Sequence, residues 1–186
     1  DYALKIANLL KQRSQDIRVR VLVDGLGTIS AASAKSASMP EDNGTPPKII
    51  SYLERDSNVE VRTVLNPWLT GDHTKTILID NKIAYLGGMN IGREYRYDWH
   101  DMMVELRGPI VDEIQTSFER AWRLQSFLGD IRAAFYRPDD PVNEPQPGQI
   151  PIRLLFTKPG DSQILRTQLA AISRAKQRIY IQNAYF

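Results

Sequence analysis

The stretch from His73 to Asn90 carries the groups in this chain that are best suited to chemistry. It combines an imidazole at His73, an ammonium at Lys75 and a side-chain amide at Asn90. An imidazole can attack an electrophilic centre, and an ammonium and an amide can stabilise the negative charge that develops there. This combination suits attack on a phosphodiester, so we take these three residues as the candidate catalytic group.

A β-hairpin is predicted to position these groups. Two runs rich in β-branched residues, 74–79 and 82–86, flank the favourable turn pair Asp80-Asn81. Asp80 is expected to fix this turn through its backbone rather than to share the site with His73.

The alternation of side chains along a strand places His73 and Lys75 on the same face. Ile77 and Ile79 follow at the same spacing, and we expect them to continue that face into the core. The reactive groups would then project from one end of an apolar strand face.

A glycine pair, Gly87 and Gly88, closes the second strand of the hairpin. Glycine permits a sharp bend and a close approach of the backbone to a ligand. Asn90 lies just beyond, and we expect it to be brought back beside His73 and Lys75. Each feature alone is commonly structural, but their agreement at fixed spacing favours a phosphate site.

The segment reads His-x-Lys-x4-Asp from His73 to Asp80 and then Gly-Gly-x-Asn up to Asn90. It resembles the HKD motif of the phospholipase D superfamily, with Gly88 where many members carry serine. The stretch 97–109 is similar to the next strand of that family and to the Gly-Pro that opens its following helix.

The resemblance implies a two-step mechanism that uses no metal ion and no cofactor. In it, His73 attacks phosphorus and forms a phosphohistidine, while Lys75 and Asn90 bind the non-bridging oxygens. Asp101 matches the acidic residue that accepts a hydrogen bond from the imidazole and holds its tautomer. His100 is expected to be solvated or to cap a neighbouring group, and its spacing from His73 matches no metal motif.

The wording from Gly87 to Tyr95 is similar to that of the cardiolipin synthase-like branch of the superfamily. This similarity implies a phosphatidyltransferase or phospholipase that acts on an anionic phospholipid at a membrane surface, in the bacterial cell envelope. Weaker candidates for substrate binding are Trp68, Arg93 and Tyr185.

Two other functions remain open. A nuclease or general phosphodiesterase of the same superfamily would use identical chemistry. The net charge of +2 disfavours nucleic acid as the partner, since a nucleic-acid binder more often carries a basic stripe. The other alternative is a non-catalytic lobe for phosphate binding or scaffolding. The absence of cysteine excludes thiol catalysis and disulfides.

The alternation of strands and helices predicts an α/β fold, for which the resemblance implies a mixed sheet between helical layers. Residues 1–136 would form a first HKD lobe without its opening strand, 137–149 a proline-rich linker, and 150–186 the beginning of a second lobe. Because the family site uses two motifs, we expect a second HKD lobe, from the same protein or a dimer partner.

The other predicted elements follow from periodicity and composition. Helices are predicted at 3–13, 48–56, 110–127 and 162–177. Strands are predicted at 17–24, 59–65, 150–157 and 178–186, and a surface loop at 25–47.

Overall fold

The computed structural model describes residues 2–25, 27, 49–64, 71–125 and 150–183. Helices and strands alternate along them, so the predicted α/β class is confirmed. The chain divides into two compact units, Asp1–Gly148 and Gln149–Phe186. The site predicted from sequence lies in the first unit.

The first unit contains helices and strands close to the predicted ones. The helices are α1 (Tyr2–Arg13), α2 (Ile49–Glu54), α3 (Arg93–Tyr97) and α4 (Ile110–Leu124). The strands are β1 (Arg20–Asp24), β2 (Glu60–Val64), β3 (Thr76–Ile79), β4 (Ile83–Gly87) and β5 (Met103–Arg107). Strands β1 and β2 pair in parallel, and β3, β4 and β5 form an antiparallel sheet in that order. Over the described residues of the first unit, the parallel and the antiparallel strand pairs therefore belong to two separate sheets.

The parallel sheet is covered by helices on both faces. On one face, the core consists of Ala7, Val19, Leu53 and Val59, against which Leu10, Val21, Tyr52 and Val61 pack. Arg20 and Arg62 alternate with these valines and face the other side. There Arg20 forms an ion pair with Glu119 of α4, and Arg62 donates to the Trp122 carbonyl oxygen at 2.7 Å.

The antiparallel sheet packs one face against α4. Ala84 of β4, Leu106 of β5 and Val111 of α4 are buried there. Pro109 precedes the helix, and its fixed φ suits this position. The predicted helix at 110–127 is confirmed from Ile110 to Leu124.

The opposite face of this sheet is more open, which corrects one prediction. Ile77 and Ile79 are predicted in the core, but they are 44% and 42% exposed. Leu78 points to the other face, in register with Ala84 and Leu106. The predicted alternation is correct and its direction is wrong, because α4 covers the face of Leu78.

The predicted hairpin is confirmed between β3 and β4. Asp80 and Asn81 adopt φ values of 51° and 55°, and the Lys82 N–H donates to the Ile79 carbonyl oxygen at 3.0 Å. Two successive positive φ angles are typical of a type I′ turn, in which Asp and Asn are favoured. Asp80 therefore lies at the turn, as expected.

The second unit contains one helix, α5 (Gln163–Arg174), over its described residues, together with the short antiparallel pair β6 (Thr157–Lys158) and β7 (Asp161–Ser162). The helix prediction is confirmed. The strands predicted at 150–157 and 178–186 are wrong over residues 150–156 and 178–183, which form no strand. A strand needs a neighbour for its backbone hydrogen bonds, and β6 and β7 are the paired segments in the described part of this unit. That the unit begins a second lobe stays a prediction.

Two other predictions fall on parts of the chain that are not described. Apart from Gly25 and Gly27, the loop predicted at 25–47 lies outside the described residues, and so does the linker predicted at 137–149. Of the helices that are described, none combines the length and the apolar character needed to cross a bilayer.

Candidate active site

His73 lies in an irregular segment, residues 71–75, that precedes strand β3. The sequence analysis places it on the strand itself, but the ladder with β4 begins only at Thr76. The imidazole is exposed and makes no hydrogen bond to any residue that the structure describes. Its position is therefore set by the backbone that carries it.

Side chains fix this backbone on both sides of His73. The Asp72 N–H donates to Asp24 Oδ1 at 2.9 Å, and the Thr74 N–H donates to Asp72 Oδ1 at 3.0 Å. Lys75 Nζ donates to the carbonyl oxygen of His73 at 2.8 Å. The predicted pair His73 and Lys75 is thus brought together, by a contact between the ammonium and the backbone.

The Lys75 ammonium is half-buried close to acidic side chains. Burial lowers its pKa below the ordinary lysine value, because loss of water disfavours the charged form. Three carboxylates act in the opposite direction, in descending order Asp72, Asp101 and Asp24. Lys75 therefore brings a positive charge to the site within the electrostatic reach of Asp101.

The carboxylate of Asp101 lies against Gly88. A Cβ at position 88 would be 2.7 Å from Asp101 Oδ1 and 2.9 Å from Oδ2. Oδ1 also accepts the N–H of Met102 at 2.7 Å. No hydrogen bond joins Asp101 to His73 among the described residues, so the orienting role of Asp101 stays a prediction.

Gly87 lets β4 and β5 approach closely where the site begins. It pairs with Met103, and a Cβ at position 87 would lie 2.5 Å from the Met102 carbonyl oxygen and 2.9 Å from Met103 Cα. Both of these atoms belong to the backbone and cannot rotate away. Only glycine fits this end of the ladder without a backbone shift.

Asn90 is held by an aromatic residue. Its Nδ2 donates to Tyr95 Oη at 2.7 Å, and the Tyr95 ring packs edge-on against Trp99 with centroids 4.9 Å apart. Within the described part of the chain, Asn90 makes no hydrogen bond to His73 or Lys75. The structure thus positions the amide through Tyr95.

Three residues in these contacts were not found by sequence reasoning. They are Asp24, Asp72 and Tyr95. Asp24 ends a buried strand before a Gly-x-Gly, and Asp72 directly precedes His73, which are usable signals. Tyr95 gave no signal, because α3 was not predicted.

For the other predicted residues, no contact at the site is described. Trp68 and Tyr185 lie outside the described residues, as does the side chain of Arg93. His100 is exposed in an irregular segment before β5 rather than on a strand. A search of the described residues finds no group of three or more His, Cys, Asp or Glu placed to hold a metal ion.

The sequence of the first unit matches a known protein family over most of its length. Residues 3–122 match the family described as cardiolipin synthase, PLD-like domain. The chain belongs to that family. The match includes both sheets of the first unit, and His73, Lys75, Asn90 and Asp101 all lie inside it. The resemblance to the cardiolipin synthase-like branch of the phospholipase D superfamily is therefore confirmed.

Individual relatives carry the same name. The chain is 26% identical to the major cardiolipin synthase ClsA of Bacillus subtilis over 186 residues, covering 96% of this chain and 36% of the relative. It is 29% identical to a cardiolipin synthase of Staphylococcus aureus over 185 residues, covering 95% and 35%. A cardiolipin synthase 2 of Staphylococcus epidermidis is 33% identical over 124 residues, covering 62% and 25%. The chain thus spans about a third of the length of the first and second of these.

Proposed function

We propose that this chain provides one HKD half of a phosphatidyltransferase that acts on anionic phospholipids, as the cardiolipin synthases to which it is similar do. The observation that carries the proposal is the contact between Lys75 and His73, at 2.8 Å, inside a domain of that family. It holds a charged donor at the backbone of the residue that carries the exposed imidazole, and a nucleophile with a nearby cation suits attack on a phosphodiester.

In the first step, a ring nitrogen of His73 attacks phosphorus. A P–N bond forms, the P–O bond to the leaving alcohol breaks, and the alcohol takes a proton from an acid. In the second step, a hydroxyl group gives its proton to the group that acted as the acid in the first step and attacks the phosphohistidine, so that a new P–O bond replaces the P–N bond and His73 is regenerated. A lipid hydroxyl as the acceptor gives transfer, and water gives hydrolysis.

Lys75 and Asn90 each retain donors for the phosphoryl oxygens in this scheme. An ammonium has three N–H donors and a side-chain amide has two. The contacts to the His73 carbonyl oxygen and to Tyr95 use one donor each. The remaining donors can stabilise the charge on the pentacovalent transition state.

The acid of the first step comes from a second HKD lobe, because the chain carries one complete motif. This lobe belongs either to the same protein or to a partner copy. Residues 150–186 are proposed as its beginning, because a helix follows the linker as it would in a repeated lobe.

A membrane surface is the proposed location of the substrate, in the bacterial cell envelope. Tyr97 at the end of α3, and Trp99 and Met102 in the loop that carries Asp101, are 59%, 59% and 75% exposed. Aromatic and apolar side chains of this kind are typical of protein surfaces that sit at the lipid headgroup level. The net charge of +2 gives no comparable support to a nucleic-acid substrate.

The test is turnover of phosphatidylglycerol vesicles by the full-length protein in EDTA, followed by mass spectrometry of the lipids. We expect a phosphatidyl-transfer or hydrolysis product that His73→Ala abolishes. His100→Ala is the matched control, since it removes the other histidine, and should leave turnover intact. Cleavage of single-stranded DNA without action on lipid would instead indicate a nuclease. Phosphate binding without any turnover would indicate a scaffolding lobe.

A further inference from the structure

Asp24 joins the parallel sheet to the segment that carries His73. It is the last residue of β1, and both of its carboxylate oxygens accept backbone N–H groups. Oδ1 accepts the N–H of Asp72 at 2.9 Å, and Oδ2 accepts the N–H of Gly27 at 2.6 Å. One side chain thereby ties together two backbone segments that are far apart in sequence.

One glycine makes room for this carboxylate, and a second glycine lies within ordinary contact distance of it. A Cβ at position 27 would lie 3.1 Å from Asp24 Oδ2, and one at position 71 would lie 3.5 Å from the same oxygen. The first distance is too short for an ordinary contact, so a side chain at Gly27 would press on the carboxylate. The backbone on both sides therefore fits closely around Asp24.

Among the described residues, the segment that donates this bond takes part in no helix or strand. Residues 71–75 precede the β3–β4 ladder, which begins at Thr76. Backbone groups outside a ladder must find other partners, and a side-chain acceptor such as Asp24 is one of them. The bond from Asp72 to Asp24 is the contact that connects this segment to the end of β1.

We propose that Asp24 is a positioning residue for His73. By accepting the Asp72 N–H, it fixes the backbone of residues 71–75, so that the imidazole meets phosphorus at a set position. This inference rests on the proposed phosphoryl transfer at His73. A displacement of the nucleophile by about 1 Å can cost about 100-fold in rate, which is why such support matters.

The change Asp24→Asn isolates this role. A carboxylate can accept both N–H groups, but an amide has one acceptor oxygen and presents N–H donors on its other side. The variant therefore loses either the Asp72 bond or the Gly27 bond while its shape stays the same.

Asp72→Asn is the charge-matched comparison. Both carboxylates favour the charged form of Lys75, so both variants remove one negative charge from its surroundings. Asp72 uses Oδ1 for its bond to the Thr74 N–H, and an amide oxygen can replace it. Asp16→Asn, in the turn after α1 where Asp16 pairs with the exposed Arg13, is the control for the substitution itself.

Two measurements on the full-length protein test the proposal. Amide hydrogen exchange, read by mass spectrometry, reports whether residues 71–75 are held. Single-turnover kinetics report the rate of phosphohistidine formation, and steady-state kinetics separate kcat from KM. The melting temperature shows whether each variant is folded.

We expect residues 71–75 of Asp24→Asn to exchange about fivefold to tenfold faster, as for one lost hydrogen bond, with peptides from β3 and β4 unchanged. Phosphohistidine formation should slow by about 10- to 100-fold, with KM within about twofold. The rate of phosphohistidine formation should fall clearly less in Asp72→Asn than in Asp24→Asn. It should be unchanged in Asp16→Asn.

Unchanged exchange of residues 71–75 in Asp24→Ala, which removes both acceptors, would overturn the tether, since Asp24→Asn can keep one of the two bonds. Faster exchange of residues 71–75 with a normal rate of phosphohistidine formation would leave Asp24 only a structural role. A loss of rate in Asp72→Asn equal to that in Asp24→Asn would leave only an effect of charge. Either result would overturn the positioning role. If the unmodified protein transfers no phosphoryl group at all, the proposed function fails. The exchange measurement then still decides whether Asp24 holds the segment.

Discussion

The carboxylate of Asp101 occupies the space that a side chain at Gly88 would need, with Oδ1 2.7 Å from the position of a Cβ. One residue earlier, a Cβ at Gly87 would meet backbone atoms of Met102 and Met103. The two glycines therefore serve different purposes. Gly88 leaves room for a functional group that can move, and Gly87 leaves room for a strand that cannot.

Alanine substitutions should separate these purposes. Gly88→Ala should displace the Asp101 carboxylate and lower kcat by about tenfold, with little change in stability, because the carboxylate can rotate. Gly87→Ala should lower the free energy of unfolding by on the order of 2 kcal/mol through overpacking against β5. Chemical denaturation and initial rates measure the two effects. A large loss of stability in Gly88→Ala together with normal activity would contradict this assignment.

The pKa of Lys75 predicts an alkaline limit to activity. Burial lowers this pKa below the ordinary lysine value of 10.5, so the ammonium loses its proton earlier than a free lysine as the pH rises. If the charged form stabilises the transition state, kcat should fall as the pH passes through this lowered value. The arginine of Lys75→Arg stays charged over that range. The fall in kcat of this variant should therefore occur at higher pH, even though its kcat at neutral pH is reduced. Identical alkaline limbs in both proteins would exclude this role for Lys75.

Tyr95 should matter for catalysis through Asn90. Tyr95→Phe removes the acceptor of the 2.7 Å bond from Asn90 Nδ2 and keeps the ring that packs on Trp99. We expect a loss in kcat of about threefold to tenfold, corresponding to one hydrogen bond. Asn90→Ala should lose more, on the order of 2–4 kcal/mol of transition-state stabilisation. Tyr85→Phe, which instead loses a bond to Glu105 on the antiparallel sheet, is the control.

The ion pair between Arg20 and Glu119 should stabilise the first unit in a pH-dependent way. The hydrogen bond from Arg20 lowers the pKa of Glu119. The stabilisation from this ion pair is therefore fully present at pH values above 4.5, the ordinary pKa of glutamate. It is lost as the pH falls through the lower pKa that Glu119 has in the folded protein. Glu119→Gln should lower the free energy of unfolding by on the order of 2 kcal/mol at pH 7, and less at pH 3. Glu60→Gln, which breaks the exposed ion pair with Arg18, should change the free energy of unfolding by less than about 1 kcal/mol. Equal effects at both pH values would contradict the ion-pair explanation.

Local chemistry made much of the first unit predictable from sequence. The turn pair Asp80-Asn81 specifies the hairpin because both residues tolerate positive φ. The apolar spacing from Ile110 specifies α4. These features depend on neighbours in sequence, which pattern analysis can see.

Contacts between distant segments were not predictable in the same way. The sequence gives the alternation of Ile77 and Ile79 but not which face α4 covers. It places His73 beside Lys75 but not the bond from Asp72 to Asp24, since the two aspartates are 48 residues apart. In the second unit, the strands predicted at 150–157 and 178–186 have the right composition, but residues 150–156 and 178–183 lack a paired neighbour in the described part of the chain.

The measurement that tests the central claim most directly is the trapping of a covalent intermediate. Full-length protein would be mixed with phosphatidylglycerol vesicles in EDTA, quenched after a single turnover, kept at alkaline pH and digested for mass spectrometry. We predict a phosphatidyl adduct on the peptide that contains His73, absent in His73→Ala and present in His100→Ala. Lipid turnover without an adduct on His73, or with an adduct that persists in His73→Ala, would contradict the claim that His73 is the nucleophile.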